Sequence, residues 1–387
     1  MLHIPLSGIK KIEEVAGSSN EYVSLSQGSI KVGGIPQQIK DYIQGLMATD
    51  KTDYYGSCWG LKLLREKLST VLSARYGQNI TAGQILPTHG CIGGLTLLYM
   101  TLLDAGDEVI IPEPAYPAYT TLAGAARAKP VFVSCVKAAS KCSRLGSVEW
   151  EFDIEKIKQA TTSKTKMIIF SNPCNPLGLV VGKTDLLELV SWCEKHGIYL
   201  VIDEAYGDYV FEGEFYSSLE FINKSQWVIS AHTFSKNMAL SGWRIGYLVV
   251  PEKIIAALAG MQDALLNCLN NTAQYAAMFA LDYPEVTREF AQKLKLNRDL
   301  AMQLLQPLVD QKIFTLGRKP VGGFYLFIKT EHEDSMDLCM SILNQAKVGL
   351  IPGRSFGQAG ASFLRLCYAR ETDVLREGIN RILGYFL

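Results

Sequence analysis

Neither sign of charge is in excess in this chain of 387 residues: Lys and Arg together number 38, as do Asp and Glu. That balance excludes broad nucleic-acid binding and adhesion to anionic membranes, which need a basic excess. No apolar run approaches the roughly 20 residues of a membrane span. The start, MLHIPLSGIKKIEE, has no apolar core behind a basic segment, so no secretory signal is expected. Without a secretion route, the glycosylation patterns NKS at 223 and NNT at 270 carry no meaning. Cysteine offers no framework either: the nine residues stand singly at 58, 91, 135, 142, 174, 193, 268, 339 and 367. An odd count without a CxxC pair fits neither disulfide pairing nor a zinc site, and no metal site is expected. Buried, reduced thiols are the simpler expectation. Internal repeats, low-complexity segments and Pro- or Ser-rich linkers are absent as well. These absences leave a soluble, cytoplasmic protein acting on small molecules.

What is present is apolar and patterned. Hydrophobic residues make up 48% of the chain and mean hydropathy is +0.10, enough for a large core. Strand-like runs occur at Gln84–Pro87, Glu108–Ile111, Val131–Ser134, Lys166–Phe170, Tyr199–Ile202, Trp227–Ser230 and Ile245–Val249. Helical periods such as Leu61–Tyr76, Gly93–Leu103 and Asp185–His196 lie between them. Short Val- and Ile-rich strands separated by helices predict a mostly parallel seven-stranded sheet covered on both faces. Ligands of such sheets sit beyond the carboxyl ends of the strands, where Asp203, the Asn172–Gly178 loop, Gly90 and Thr233 all fall. After about Pro251 the pattern changes to long helices, Glu252–Asp282 and Pro284–Leu308. GGFYLFI, a helix near Met336–Lys347, FLRLCYA and a closing helix from Glu371 then follow. The expected organisation is an α/β large domain over 47–285, with a smaller α+β domain from 1–46 and 286–387.

The segment from Asp203 to Arg244 carries the chemistry. VIDEAYGDYVF contains Asp203 and Tyr206; SAHTFSKNMALSGWRIGY contains Thr233, Lys236 and Arg244. An acid at a strand end, then a lysine eight residues before an arginine, is what pyridoxal 5′-phosphate requires. Lys236 can form a Schiff base, Asp203 can pair with the pyridinium nitrogen and Arg244 can hold the phosphate. A buried carboxylate needs a cation or several donors; the plain alternative for Asp203 is a helix N-cap. Tyr206 follows where a phenol reaches the same ring, and Glu204 reads as structural. Thr233 and Ser235 suit a phosphate cup at a helix start. An imine-forming lysine must be neutral, so burial and neighbouring cations have to lower its pKa. A surface lysine would leave the flanking GWRIGY unexplained.

Other motifs are weaker singly. In SNPCNPLG, Asn175 can donate its amide to a phenolate oxygen or simply form an Asn-Pro turn. Gly90, Cys91 and Ile92 open a helix whose free N–H groups can receive phosphate, or the glycine only turns a strand into a helix. Tyr116 in PEPAYPAY can stack on a flat ring or fill the core. Arg365 in FLRLCYA needs an anionic partner, either a substrate α-carboxylate or an internal carboxylate. GLVVGKT at 178–184 imitates a phosphate loop but has three residues between its glycines where the motif has four. With Thr at 233, a Ser-x-x-Lys acylase motif also fails.

In order and spacing, YYGSCWGLKLLR, THGCIGG, GDEVIIPEPAYPAY, SNPCNPLG, DEAY, TFSK, GWRIGY, GGFYLF, IPGRSFG and FLRLCYA resemble the class I/II aminotransferases of pyridoxal-phosphate fold type I over nearly the whole chain. The resemblance implies that Lys236 carries the cofactor and moves protons, that Asp203 faces the pyridine nitrogen, and that Tyr206 and Asn175 contact the phenolic oxygen. It implies Tyr116 on the ring, and the Cys91 and Ile92 amides, Thr233, Ser235 and Arg244 on the phosphate. Tyr55 matches a tyrosine lent to the neighbouring subunit's phosphate, hence a homodimer. Arg365 matches the α-carboxylate arginine and Gly28 a glycine near the substrate. Three departures stand out. Ile92 replaces a polar residue, NPLG replaces NPTG, and GSIKVGGIP lacks the Pro-Asp-Phe run; together they argue against a strictly aspartate-specific enzyme. The expected activity is two-step transamination between an L-amino acid and a 2-oxo acid. A C–S lyase or other eliminating enzyme of the same fold is the alternative, though DEAYGDY lacks the histidine-bearing form of that motif. A non-catalytic cofactor-binding regulator is a further one, disfavoured by the intact Lys236 and by the absence of room for a DNA-binding module.

Overall fold

The computed structural model describes residues 8–17, 19–135 and 150–387. Residues 1–7 of the opening segment, and Cys142, lie outside them. All seven expected strands form one sheet: β1 (Ile85–Thr88), β2 (Glu108–Glu113), β3 (Lys129–Ser134), β4 (Thr165–Ser171), β5 (Tyr199–Asp203), β6 (Val228–Thr233) and β7 (Gly246–Val249). Their order is β1-β7-β6-β5-β4-β2-β3, with β7 antiparallel to both its neighbours and every other pair parallel. The central strands are apolar on both faces because helices cover both sides. Ile168, Leu200 and Ile202 enter one core, while Met167, Ile169 and Val201 enter the other.

Helices Lys62–Tyr76, Gly90–Leu102 and Lys183–His196 lie close to their expected positions. The expectation of one helix over Glu252–Asp282 is corrected. Two helices form, Glu252–Leu266 and Asn271–Ala280. Asn267 takes φ 62°, a value that asparagine tolerates better than most residues, and the side chain of Asn270 caps the second helix by accepting from Ala273 N–H. The apolar period continues across this break, so periodicity alone hides it.

Beyond the long helix Pro284–Asp310, an antiparallel four-stranded sheet of Phe314–Leu316, Tyr325–Thr330, Ile351–Pro352 and Phe363–Cys367 forms a second layer with helices Ser335–Gln345 and Thr372–Phe386. Its core takes in Ile12, Ala16, Leu25, Ile30 and Val32 from the amino-terminal segment. Helix Gln37–Leu46 instead buries Ile39, Ile43 and Leu46 in the core beneath the large sheet. The amino-terminal strap, residues 23–33, therefore packs in the core of the second layer, where Val23–Ser24 pairs in parallel with Val348–Gly349, and its Gly28 carbonyl meets Lys236, just past the end of β6. Among the described residues, no helix is long and apolar enough to cross a membrane.

Candidate active site

Asp203 ends β5, and side-chain alternation turns it to one face of the sheet and Glu204 to the other. Its buried carboxylate accepts from the Tyr119 hydroxyl at 2.9 Å, Ala205 N–H at 3.0 Å and, more weakly, the Cys91 thiol at 3.6 Å. Burial raises its pKa and these three donors oppose the rise. Glu204 is held by Ser217 and Ser218 at 2.5–2.6 Å and is pushed up by burial to about 7. It serves the packing behind the sheet.

Lys236 lies in a single helical turn, Phe234–Asn237, capped by Thr233, whose hydroxyl accepts from Ser235 N–H at 3.1 Å. Its amine points inward and donates to the Gly28 carbonyl of the strap. Burial lowers its pKa to about 8; Arg365 and Arg244 add to the fall, while Cys367 and Asp203 oppose it. In cofactor-free protein, amine-directed labelling of Lys236 is expected to titrate with a midpoint near 8. Arg365→Met removes a depressing cation, so that midpoint should move up. An unchanged or lower midpoint in the variant would show that Arg365 does not act on this amine.

On the other side of the cleft, Tyr206 joins its hydroxyl to that of Tyr325 at 2.9 Å and receives the Asn175 amide at 3.4 Å. Asn175 follows β4 in a loop where Asn172–Pro173 and Asn175–Pro176 are both cis, and its N–H bonds the Ser171 hydroxyl. Arg365, 2% exposed, donates to Asn175 Oδ1 at 3.1 Å and to the Ser26 carbonyl at 2.7 Å. The guanidinium lies 4.2 Å from the Tyr325 ring centroid and 4.9 Å from that of Phe356. No described carboxylate pairs with it, which removes the internal ion pair as its partner, and its Nε is buried without an acceptor.

Arg244 donates to the Ser241 carbonyl at 2.8 Å and packs on the amino end of helix Gly90–Leu102. The approach is close: a Cβ on Gly90 would lie 2.5 Å from Arg244 Nη2, and one on Gly246 would lie 2.7 Å from Cys91 N. A guanidinium against free helix N–H groups places two positive features together, an arrangement that an anion relieves.

The structure thus gathers Asp203, Cys91, Tyr206, Asn175, Lys236, Gly28 and Arg365 into one cleft, with Arg244, Gly90, Thr233 and Ser235 at its edge. Tyr116 reaches this group through Tyr119, whose ring it meets edge-on at 5.6 Å. Ile92 is half-buried on the helix start, and Tyr55 is 86% exposed, without a described contact to the cleft. Sequence reasoning missed Tyr119 and Tyr325. Tyr119 stands one helical turn after Tyr116 in PAYPAY, a spacing that puts both on one face and was the available signal. Tyr325, in GGFYLF, had none beyond its aromatic type.

The donor set suits pyridoxal phosphate: a buried carboxylate with only neutral donors, an orphaned buried guanidinium nitrogen, a neutralisable amine and a glycine-lined cationic cradle. An amine between a carboxylate and two guanidinium groups, at the carboxyl ends of parallel strands, is the equipment of an enzyme handling small anionic amines. The profile of the family "aminotransferase class I and II" matches residues 20–382. The (5-formylfuran-3-yl)methyl phosphate transaminase of Methanocaldococcus jannaschii is 32% identical over 347 residues, covering 90% of this chain and 87% of that protein. An aspartate aminotransferase of Thermotoga maritima is 30% identical over 324 residues, covering 84% and 81%. Among solved structures, aspartate aminotransferase from Thermus thermophilus with maleate superposes with a TM-score of 0.87 at 26% identity, covering 98% of this chain and 97% of that one. The chain belongs to the class I and II aminotransferases of fold type I, enzymes that move an amino group from an amino acid to a 2-oxo acid with pyridoxal phosphate.

Proposed function

We propose that the cleft between the large sheet and the terminal layer binds pyridoxal phosphate and an L-amino acid, and that Lys236 is the group that moves the substrate's α-proton. The observation that carries this reading is Arg365. A buried guanidinium that no described carboxylate pairs with, beside an amine whose pKa is lowered to about 8, is poised for a substrate α-carboxylate. Bound here, pyridoxal phosphate supplies an electron sink that no side chain has. Asp203 would pair with its ring nitrogen, Asn175 and Tyr206 would offer donors to its phenolic oxygen, and Tyr116 would stack on the ring. Arg244, Thr233, Ser235 and the amides of Cys91 and Ile92, after the turn at Gly90, take the phosphate. Gly28 leaves the substrate side open, because a side chain there would collide with the Tyr325 hydroxyl.

The proposal extends to assembly and setting. The exposed Tyr54 and Tyr55 support a homodimer in which Tyr55 reaches the neighbouring subunit's phosphate site. The eight described cysteines are all free, which supports the reducing cytoplasm. A division into a large part and the two termini is supported by cores that are distinct for the most part: the terminal core also takes in Cys135, Leu177, Tyr206, Tyr209 and Ala239, and helix Gln37–Leu46 belongs by its packing to the larger part, which argues for a boundary ahead of residue 37 instead of at 47.

The test is the visible spectrum of purified protein before and after single L-amino acids. A yellow band that particular amino acids bleach, with recovery on adding a 2-oxo acid, is the expected result and identifies the donor. A protein that stays colourless in pyridoxal phosphate, or one that releases ammonia and an oxo acid without any acceptor, would overturn the reading.

A further inference from the structure

Arg370 is 2% exposed, and unlike Arg298, the buried arginine that Glu212 and Asp299 neutralise, it pairs with no described carboxylate. Its fork is filled by backbone carbonyls. Nε donates to Ser24 O at 2.6 Å, Nη2 to Gln27 O at 2.7 Å, and Nη1 to Ser29 O and Ala369 O at 2.9 Å each, with Cys367 Sγ at 3.6 Å. Three of these acceptors lie in the strap. Flanking bonds extend the stitching: Cys367 N–H to Leu25 O, Lys31 N–H to Ala369 O, and Gly33 N–H to the Glu371 carboxylate at 2.7 Å. The strap carbonyls that Arg370 leaves free include Ser26 O, which accepts from Arg365, and Gly28 O, which accepts from Lys236.

We propose that Arg370 is a positioning residue for amino-acid binding. By clasping the carbonyls of Ser24, Gln27 and Ser29, it fixes the strap so that the carbonyls of Ser26 and Gly28 meet Arg365 and Lys236. A rigid planar fork with five donors suits this task, since it orders several carbonyls at once. The clasp rests on the reading of Arg365 and Lys236 given above, but Arg370 itself stands outside the cleft and touches no reacting group. The strap is thereby a fixed wall of the substrate site, and strap and amino acid are coupled through Arg365.

Two readouts separate this role from a general loss of stability. In Arg370→Met, amide exchange at Leu25 and Lys31 should quicken by about 10-fold or more, the size expected for losing hydrogen bonds to a charged donor, while helix Lys183–His196 stays as in the wild type. This is measured on cofactor-free protein as well as holoenzyme, so it stands whether or not the spectral test succeeds. In holoenzyme, KM for the amino acid that the panel identifies should rise ~10-fold with kcat within ~3-fold. Arg370→Lys keeps the charge and three donors, and should recover part of both changes; it carries the test alone if the Met variant fails to fold. Unchanged strap exchange, a loosened strap with unchanged KM, or acceleration spread evenly through the fold would each overturn the proposal.

Discussion

Lys236→Ala is expected to end transamination, with a loss of at least ~10²–10⁴ in rate, the usual worth of a positioned acid–base group. The argument is one of placement. Lys236 is fixed by the turn that Thr233 caps, its amine faces the Gly28 carbonyl, and the protein around it lowers its pKa to about 8. Near neutral pH such an amine exchanges its proton readily in either direction, which an ordinary surface lysine does not. No second lysine or histidine stands among the residues gathered in the cleft to replace it. Borohydride treatment followed by mass spectrometry gives an independent readout: the wild-type chain should gain the cofactor's mass on the peptide containing Lys236, and the variant should not. The fold is expected to survive, because the substitution removes an enclosed amine and leaves the Gly28 carbonyl beside the cleft's open side. A variant that cycles at a rate within tenfold of the wild type would sink the assignment, as would borohydride labelling at any other lysine.

The parts of this site that were legible beforehand share a physical property: their signal is local. Asp203 ends a run of Leu, Val and Ile, so both its strand and its position at the carboxyl end follow from a handful of neighbours. The spacing of Thr233, Lys236 and Arg244 is equally short. What escaped was either a break inside a continuing period, as at Asn267, or a contact between distant segments. Tyr119 reaches Asp203 across 84 positions and Arg370 reaches the strap across more than 340. Neither leaves a pattern in its own neighbourhood, because the partner is set by topology. The motif FLRLCYAR shows both cases side by side. Arg365 was noticed because a charge interrupts an apolar strand, whereas Arg370, just past the strand end, looks like any arginine in a turn.

Asp203→Asn is expected to act with opposite signs on the empty and the loaded protein. Without a cation at the ring-nitrogen position, Asp203 is a buried carboxylate whose hydrogen-bond donors are a phenol, an amide and a thiol; burial raises its pKa, and these donors and, more weakly, the Lys236 charge oppose the rise. A raised folded-state pKa means that the folded protein binds the proton more tightly than the unfolded chain does. The cost of the charge is therefore absent below the ordinary carboxyl range near ~4 and grows as pH rises through the raised value. Asparagine keeps the shape and carries no such cost. Cofactor-free Asp203→Asn should melt no lower than the wild type at pH 8, and its advantage should shrink on going down to pH 4. With pyridoxal phosphate the order reverses. Removing one partner of a buried ion pair costs about 3–5 kcal/mol, so affinity should weaken by roughly 10²–10⁴-fold. Saturating cofactor should then raise the melting temperature of the wild type far more than that of the variant. Thermal melts of both proteins at two pH values, with and without cofactor, measure all of this. A cofactor-free variant that melts lower than the wild type at pH 8 would mean that Tyr119, Ala205 and Cys91 already satisfy the carboxylate. In that event Asp203 would need no cation, and the strongest electrostatic reason for a protonated ring beside it would be gone.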